Sequence, residues 1–437
     1  MAHVAERPDT YAPHVEALLA GPDAGAGWLR DARQAAFARF QARGLPTTRD
    51  EEWRFTPIAP IASTPFAPAP AVDTPAPASL APFQFDGAGL QVVLVNGRLD
   101  RDLSVSGPLP AGVSIRSIGS DAAAFGAAAL ATATPAADIA TTAFADLNLA
   151  LLPDAVVIDI APGAAVAEPI FVLGVTVSDG GPVVASPRVI IRVGERAEVS
   201  IVESWTSLGG APAFTNAVTQ IAAGPAAIVN HVKLQREPAA AFHLASALLR
   251  LDRSATVRSC AITLGGRIAR NDVIATLAGE GAEVTLDGVY VGDGESLIDT
   301  HTTIDHAEPH CPSHEVYKGI LAGRARAVFN GKIIVRQKAQ KTDAKQTNKA
   351  LLLTDEAQVN TKPQLEIFAD DVKCTHGAAI GQLDEDALFY LRARGVGADE
   401  ARNMLIHAFA GEVLDRVGLE TVSARALTLI DQKLKLG

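Results

Sequence analysis

For more than two hundred residues after Pro153 the sequence has no helical periodicity; short β-branched runs recur instead, parted by Gly, Asp and Ala. An Ala-x-Val or similar step opens run after run, at Ala164, Ala197, Ala227, Ala255, Ala282, Ala325 and Ala357, with spacings of 33, 30, 28, 27, 43 and 32 residues. A β-sandwich gives hairpin signals every ~8–12 residues and no longer period, whereas stacked coils of two or three short strands repeat at roughly twenty to thirty-odd residues. The spacing therefore predicts a parallel β-helix over 153–383, each coil pairing with the next and inward residues stacking as ladders. The 43-residue step predicts one coil enlarged by an insertion that holds HTTIDHAEPHCPSHE.

The flanks read differently. Residues 1–152 are expected to form a mostly helical N-terminal region. Pro13 to Leu19, and Trp28 to Arg43 with apolar residues at Trp28, Ala32, Ala36 and Phe40, follow the helical period and stop at Gly44 and Pro46. Thr56 to Pro82 is rich in Pro, Ala and Thr, a composition that predicts an extended surface linker with little core. LQVVLVNGRL reads as a strand followed by an Asn96-Gly97 hairpin turn, and 120–152 returns to an Ala-rich helical composition. From Asp384 helical character resumes to the end: acidic residues open 384–394, Arg and Gly395 close it, and two further helices follow from Asp399 and over 421–435. This 384–437 region would close the end of the β-helix or dock on a partner.

With 437 residues the chain has ample material for a core, and its net charge of −11 disfavours nucleic acid. Hydrophobic residues make up 48% and charged residues 20%, the balance of a globular protein rather than a disordered one. The three cysteines, Cys260, Cys311 and Cys374, are far apart and odd in number, which predicts a reducing, cytoplasmic setting and no disulfide framework. The N-terminal sequence lacks the basic and apolar regions of a signal peptide, and no window of ~18 apolar residues occurs.

Several motifs fail on their own chemistry. Asn330-Gly331-Lys332 resembles the end of a P-loop, but Arg326 stands where the first Gly belongs and Ile333 replaces the Mg²⁺-binding hydroxyl. Gly292-Asp-Gly294 lacks a third Gly and a following helix, and His314-Glu315 is followed by Lys318 where a zinc protease needs a second His. His301, His306, His310, Cys311 and His314 are metal-ligand types crowded into one stretch, yet their spacing matches no finger, and solvated loop histidines are the commoner outcome. Lys318, Arg324, Arg326, Lys332, Arg336, Lys338, Lys341, Lys345 and Lys349 against the lone Asp343 give a local charge of +8; this reads as an anion- or partner-binding stripe or as the solvated outer face of successive coils. Cys374 and His376, two apart on a strand, share a face and make a minimal iron or cluster ligand pair that needs donors from elsewhere. A structural thiol and a satisfied histidine are the competing reading of the same two residues.

The run RAVFNGKIIVRQKAQKTDAKQTNKALLLTDEAQVNTKPQLEIFADDVKCTHGAAIGQLDEDALFYLRARG resembles the SufB/SufD family of iron–sulfur cluster assembly scaffold proteins, and the pieces GLPTTRDEEWRFT, TKPQLEI and KCTHGA look SufD-like. The resemblance is strongest from Tyr317 to Gly395 and implies an N-terminal helical region, a right-handed parallel β-helix and a C-terminal helical domain. It also implies a non-enzymatic or only partly catalytic role in the SUF machinery. Proteins of this kind pair with a SufB-like scaffold through their β-helices and bind a SufC-like ABC-type ATPase through their C-terminal helices, which agrees with the failed P-loop. A transient cluster or iron is handled at the scaffold junction, where the family's motif histidine falls on His376 with Cys374 beside it. In the same register the SufB cysteine falls on Ala357 and the SufB glutamate on Gly377, so this chain alone lacks the thiolates of a cluster. The amphipathic face of the helix opened by Asp399, with Leu405, Phe409 and Val413, is the expected ATPase contact.

Two other classes compete. A carbohydrate-active β-helix would line a groove with carboxylates and aromatics, and aromatics are only 5% of this chain. A homodimeric β-helical adaptor without a metal role would tolerate loss of His376.

Overall fold

The computed structural model of the protein describes residues 10–21, 24–85, 89–104, 108–121 and 124–435. The absence of a signal peptide was read in part from the first nine residues, which lie outside these. The chain winds back and forth between two sheets. In each, eight strands run parallel: from Val156–Ile160 to Gln358–Ile367 in the first sheet and from Ile170–Val177 to Lys373–Gly381 in the second. This is the parallel β-helix. Its core is the ladder of inward residues between the sheets, among them Val199, Val229, Val257, Val284, Ile304 and Phe329.

One corner carries the repeat. Gly163, Arg196, Ala226, Ser254, Gly281, His310 and Lys341 all have positive φ, between 54° and 71°. Arg196, Ala226, Ser254, His310 and Lys341 each donate their backbone N–H to a carbonyl of the next coil, at 2.7 to 3.0 Å. From Arg196 on, the residue after each turn points inward and is buried: Ala197, Ala227, Ala255, Ala282, Cys311 and Thr342. Cys311 thus takes the place of an Ala in an unbroken series. The expected insertion does not exist; the 43-residue step joins two different corners, because Ala325 and Ala357 precede strands Arg326–Val335 and Gln358–Ile367 of the first sheet, whereas Ala282 precedes Glu283–Gly292 of the second. The His-rich stretch is ordinary ladder, strands Leu297–His306 and Pro312–Leu321.

Inside the coils, large and small residues alternate between neighbouring strands. Tyr317 lies over Gly288 and Tyr290 over Gly319, at register partners, so a Cβ on either glycine would fall within 2.2 Å of a ring carbon.

The N-terminal end of the solenoid is closed by its own chain. Strand Leu90–Val95 extends the second sheet in parallel, and the Asn96-Gly97 turn sends Arg98–Asp100 back antiparallel. Val113–Ser117 pairs antiparallel with the first strand of the other sheet. Strands therefore contribute to a region expected to be mostly helical. The Pro/Ala-rich segment is not a bare surface linker either: Ile58, Ile61 and Phe66 are buried with Trp53, Phe144, Phe214 and Phe242 on the outer face of the first sheet, and Leu80 is buried against the second. Apolar residues set among prolines here cover a sheet face.

The C-terminal helices form where capping predicts. The Asp384 side chain accepts from the N–H groups of Asp386 and Ala387 at the start of Glu385–Ala393, and Gly395 follows at φ 91°. Ala398–Leu414 and Glu420–Leu434 lie along the outer face of the second sheet, with Ile406, Ala410, Val413, Val422, Ala426 and Ile430 packed on Val232, Cys260, Ile262, Val289 and Ile320. They cover a flank, and the last strand of each sheet is left as an edge.

Candidate functional site

The site is built at that open end. Parallel in-register stacking puts equivalent residues in columns ~4.8 Å apart, and alternate residues of a strand share a face. On the final strand Cys374 continues the column Ser313–Ala344, and His376 continues the column Glu315–Gln346. Ser313, Ala344, Glu315 and Gln346 are all buried between the sheets, so both columns belong to the interior and end at the mouth. Cys374 is half-buried against Ile333, Val335, Ala339, Ala344 and Ala369, whereas His376 is exposed.

Burial raises the Cys374 thiol pKa above its ordinary value, with the Asp343 carboxylate acting in the same direction and a backbone hydrogen bond at Ala344 opposing it. A metal bound there would have to displace that proton. Among the described residues no three His, Cys, Asp or Glu side chains converge as metal donors. Ala357 is buried and carries no donor, and Gly377 has open space around it. The donor set at the mouth is one thiol and one imidazole.

Behind His376 lies a feature that single-residue motifs do not reveal. Gln346 Nε2 donates to Glu315 Oε2 at 2.6 Å, while Glu315 Oε1 and Gln346 Oε1 have no hydrogen-bond partner. Burial pushes the Glu315 carboxyl up to about 7. Gly331, the supposed P-loop glycine, sits mid-strand opposite, and a Cβ there would meet the Gln346 side chain at 2.1 Å. Counting back one coil at a time from His376 would have found this column.

The rim is apolar. Ile367, Phe368 and Ile380 are exposed by 40, 61 and 46% on and beside the two edge strands. On the first C-terminal helix Phe389 and Tyr390 are exposed by 74 and 56%, and that helix buries no residue. Sequence reasoning passed over these aromatics.

The residues expected to meet an ATPase turn largely inward. Val413 is fully buried against the second sheet, the Phe409 ring lies 4.4 Å from Lys318 Nζ, and Leu405 is partly buried. The cause is the deep apolar seam of this helix, which the sheet already fills; its exposed residues include Arg402, Met404, Ala408 and Glu412.

The other candidates disperse. His306 is buried with Nε2 2.9 Å from Ser313 Oγ, and burial holds it neutral, down to about 4. His310 is a corner residue, Cys311 lies in the core, His314 is on a strand, and His301 faces the N-terminal region. The basic stripe is largely paired: Lys318 with Glu412, Arg324 with Glu295, Lys332 with Glu366, Arg336 with Asp138 and Asp305, Lys338 with Glu308, Lys341 with Asp371 and Lys345 with Asp343. Acids from other coils, from loops and from the C-terminal helix, with Asp343 of the stripe itself, pair most of it.

Comparison with known proteins gives the same answer from two directions. The family described as "SUF system FeS cluster assembly, SufBD core domain" matches residues 175–409, and "SufBD protein N-terminal region" matches 22–172. The chain is 33% identical over 405 residues to an iron–sulfur cluster assembly SufBD family protein of Synechocystis, covering 91% of this chain and 89% of that protein. It is 33% identical over 396 residues to the iron–sulfur cluster assembly protein SufD of Escherichia coli, covering 90% of each. The SufD protein of Bacillus subtilis is 30% identical over 171 residues, 39% of each chain.

Proposed function

This chain belongs to the SufBD family of iron–sulfur cluster assembly proteins, and from that premise we propose that it is the SufD-like, non-enzymatic subunit of a cytoplasmic SUF assembly complex. Its uncapped solenoid end meets the corresponding end of a SufB-like scaffold, and Cys374 and His376 present a thiol and an imidazole to iron or a nascent cluster at the junction. The cluster is cargo: it is assembled there and passed on, and the isolated chain does not hold it.

One observation carries this reading. The chemistry-bearing pair of the sequence resemblance lies on the last strand of its sheet, an edge that pairs with no further strand among the described residues, although three apolar side chains rim it. Exposed strand edges are normally blunted or covered, so an open one that also exposes large apolar side chains supports a partner there. Two donors are fewer than a cluster requires, and a second chain would supply the rest. The C-terminal helices are the contact for a SufC-like ATPase, through the exposed Phe389, Tyr390 and Met404 rather than the buried Val413. Closure of such an ATPase would pull on this unit and shift the junction between two arrangements. The three cysteines are free thiols, and among the described residues no helix is long and apolar enough to cross a membrane.

The test is co-purification of the tagged chain from its native cell, with anaerobic iron and sulfide analysis of the complex, wild type and His376→Ala. A SufB-like scaffold and an ATPase should come down with it, and the substitution should abolish iron and sulfide while leaving the complex intact. Recovery as a homodimer alone, or a mutant complex with its full iron and sulfide, would return the protein to a metal-free adaptor.

A further inference from the structure

Gln346 stands next behind His376 in the interior. Glu315, Gln346 and His376 are register partners on three successive strands of the second sheet, and one coil further in the column reaches Leu286, part of the apolar core. The Gln346 carboxamide therefore has the Glu315 carboxylate on its inner side in the column and the imidazole of His376 on its outer side.

Two contacts fix that carboxamide. Its Nε2 donates to Glu315 Oε2 at 2.6 Å, and the first sheet offers it Gly331, where even a Cβ would come within 2.1 Å of Nε2 and 3.0 Å of Oε1. A carboxylate only accepts, so it takes the N–H end of the amide and leaves the oxygen end over. That oxygen is buried without a partner, in a residue only 2% exposed. Buried acceptors in native proteins are nearly always satisfied, and an apolar side chain of similar size would have avoided the penalty. Gln346 Oε1 is thus an acceptor in want of a donor, and the next side chain outward in its column is His376.

A neutral histidine that binds a metal through one ring nitrogen carries its N–H on the other, and metal-binding histidines almost always donate that N–H to a carboxylate, a carbonyl or water. In-register partners on neighbouring strands are ~4.8 Å apart, close enough for their side chains to share a hydrogen bond. We propose that Gln346, anchored by Glu315, is a positioning residue for His376: with a metal ion at the mouth, the free ring N–H of His376 donates to Gln346 Oε1, which fixes the tautomer and turns the other ring nitrogen to the ion. This rests on the reading of Cys374 and His376 as donors and adds the pair that orients one of them. In the chain by itself His376 is exposed, so the contact forms on loading. Gly331, which made no P-loop, has its use here as the space in which the carboxamide lies.

Anaerobic titration of the full chain with cobalt(II) tests this, because a thiolate-to-cobalt charge-transfer band reports ligation by Cys374 and should vanish in Cys374→Ser. Gln346→Leu removes the acceptor and should weaken cobalt binding by about tenfold or more, and His376→Ala should weaken it too. In the His376→Ala background Gln346→Leu should change the affinity by less than about twofold, since nothing is left to orient, whereas a merely structural role would cost the same in both backgrounds. Wild-type affinity in Gln346→Leu, or an equal loss with and without His376, overturns the proposal. If Gln346→Leu does not fold, Gly331→Ala decides: its methyl displaces the carboxamide without removing it, the same loss is expected, and unchanged affinity overturns the proposal. The absence of a Cys374-dependent band in the wild type, or full affinity in His376→Ala, is a different failure: the donor pair itself falls, and its support falls with it.

Discussion

Replacing Gly319 by Ala tests the packing inside the coils, because the position is defined from both sides. The new methyl would lie 2.1 Å from Cε2, 2.3 Å from Cζ and 2.6 Å from Oη of Tyr290, whose ring is held on the neighbouring strand and whose hydroxyl donates to Asn348 Oδ1 at 3.1 Å. The ring cannot rotate out of a stacked interior without displacing the next coil. Overpacking of this kind costs about 1–3 kcal/mol, and loss of the tyrosine hydrogen bond adds about 1 kcal/mol, so a destabilisation of about 2–4 kcal/mol is expected. Urea unfolding followed by circular dichroism measures it. The decisive comparison is a cycle: Tyr290→Ala is costly by itself, but in that background Gly319→Ala should cost less than about 1 kcal/mol, since the obstructing ring is gone. Gly411→Ala is the control of opposite sign, because that helical glycine has nothing within 4 Å of an added Cβ and should gain about 0.5–1 kcal/mol. A Gly319→Ala protein within about 0.5 kcal/mol of wild type, or one equally destabilised with and without Tyr290, would refute the reasoning.

Other outcomes follow from single environments. Glu315 binds its proton more tightly when folded, up to about 7, than unfolded, so wild-type stability should fall between pH 4.5 and 7 relative to Glu315→Gln, by about 3 kcal/mol in total, as read from paired denaturation curves. Val413→Asp places a charge in the seam between the C-terminal helix and the second sheet; trypsin should then cut near Arg392 and Arg394 at low protease, while the solenoid resists. Among the three thiols only Cys374 should alkylate in the folded protein, and more slowly than a free cysteine because burial raises its pKa; Cys260 and Cys311 should react only on unfolding, as peptide mapping would record.

The β-helix was legible because its corners impose chemistry. A left-handed turn followed by an inward residue admits little more than Ala at the second place, and that requirement recurs each coil. The period failed where the chemistry relaxed: Cys311 and Thr342 fill the Ala place, and Ala325 belongs to the other corner, so a regular 29-residue coil looked like an insertion. The Pro/Ala-rich segment misled for the converse reason. Its composition disfavours secondary structure, but Ile61 and Phe66 need only a sheet face to cover, and composition does not report that face.

The site divides along the same line. Cys374 and His376 were legible as a pair because strand geometry alone puts alternate residues on one face. Which face, and what stands behind it, depends on register between coils, and register is a property of partners about thirty residues away. The same holds for Val413, whose helical spacing marked an apolar face correctly but left open which surface fills it. An amphipathic helix beside a sheet that exposes Val232, Ile262 and Val289 will cover that sheet first, since intramolecular docking carries no cost of bringing two molecules together. What the fold leaves uncovered at the mouth is the pair of edge strands, and beside them the exposed aromatics of the helix that follows.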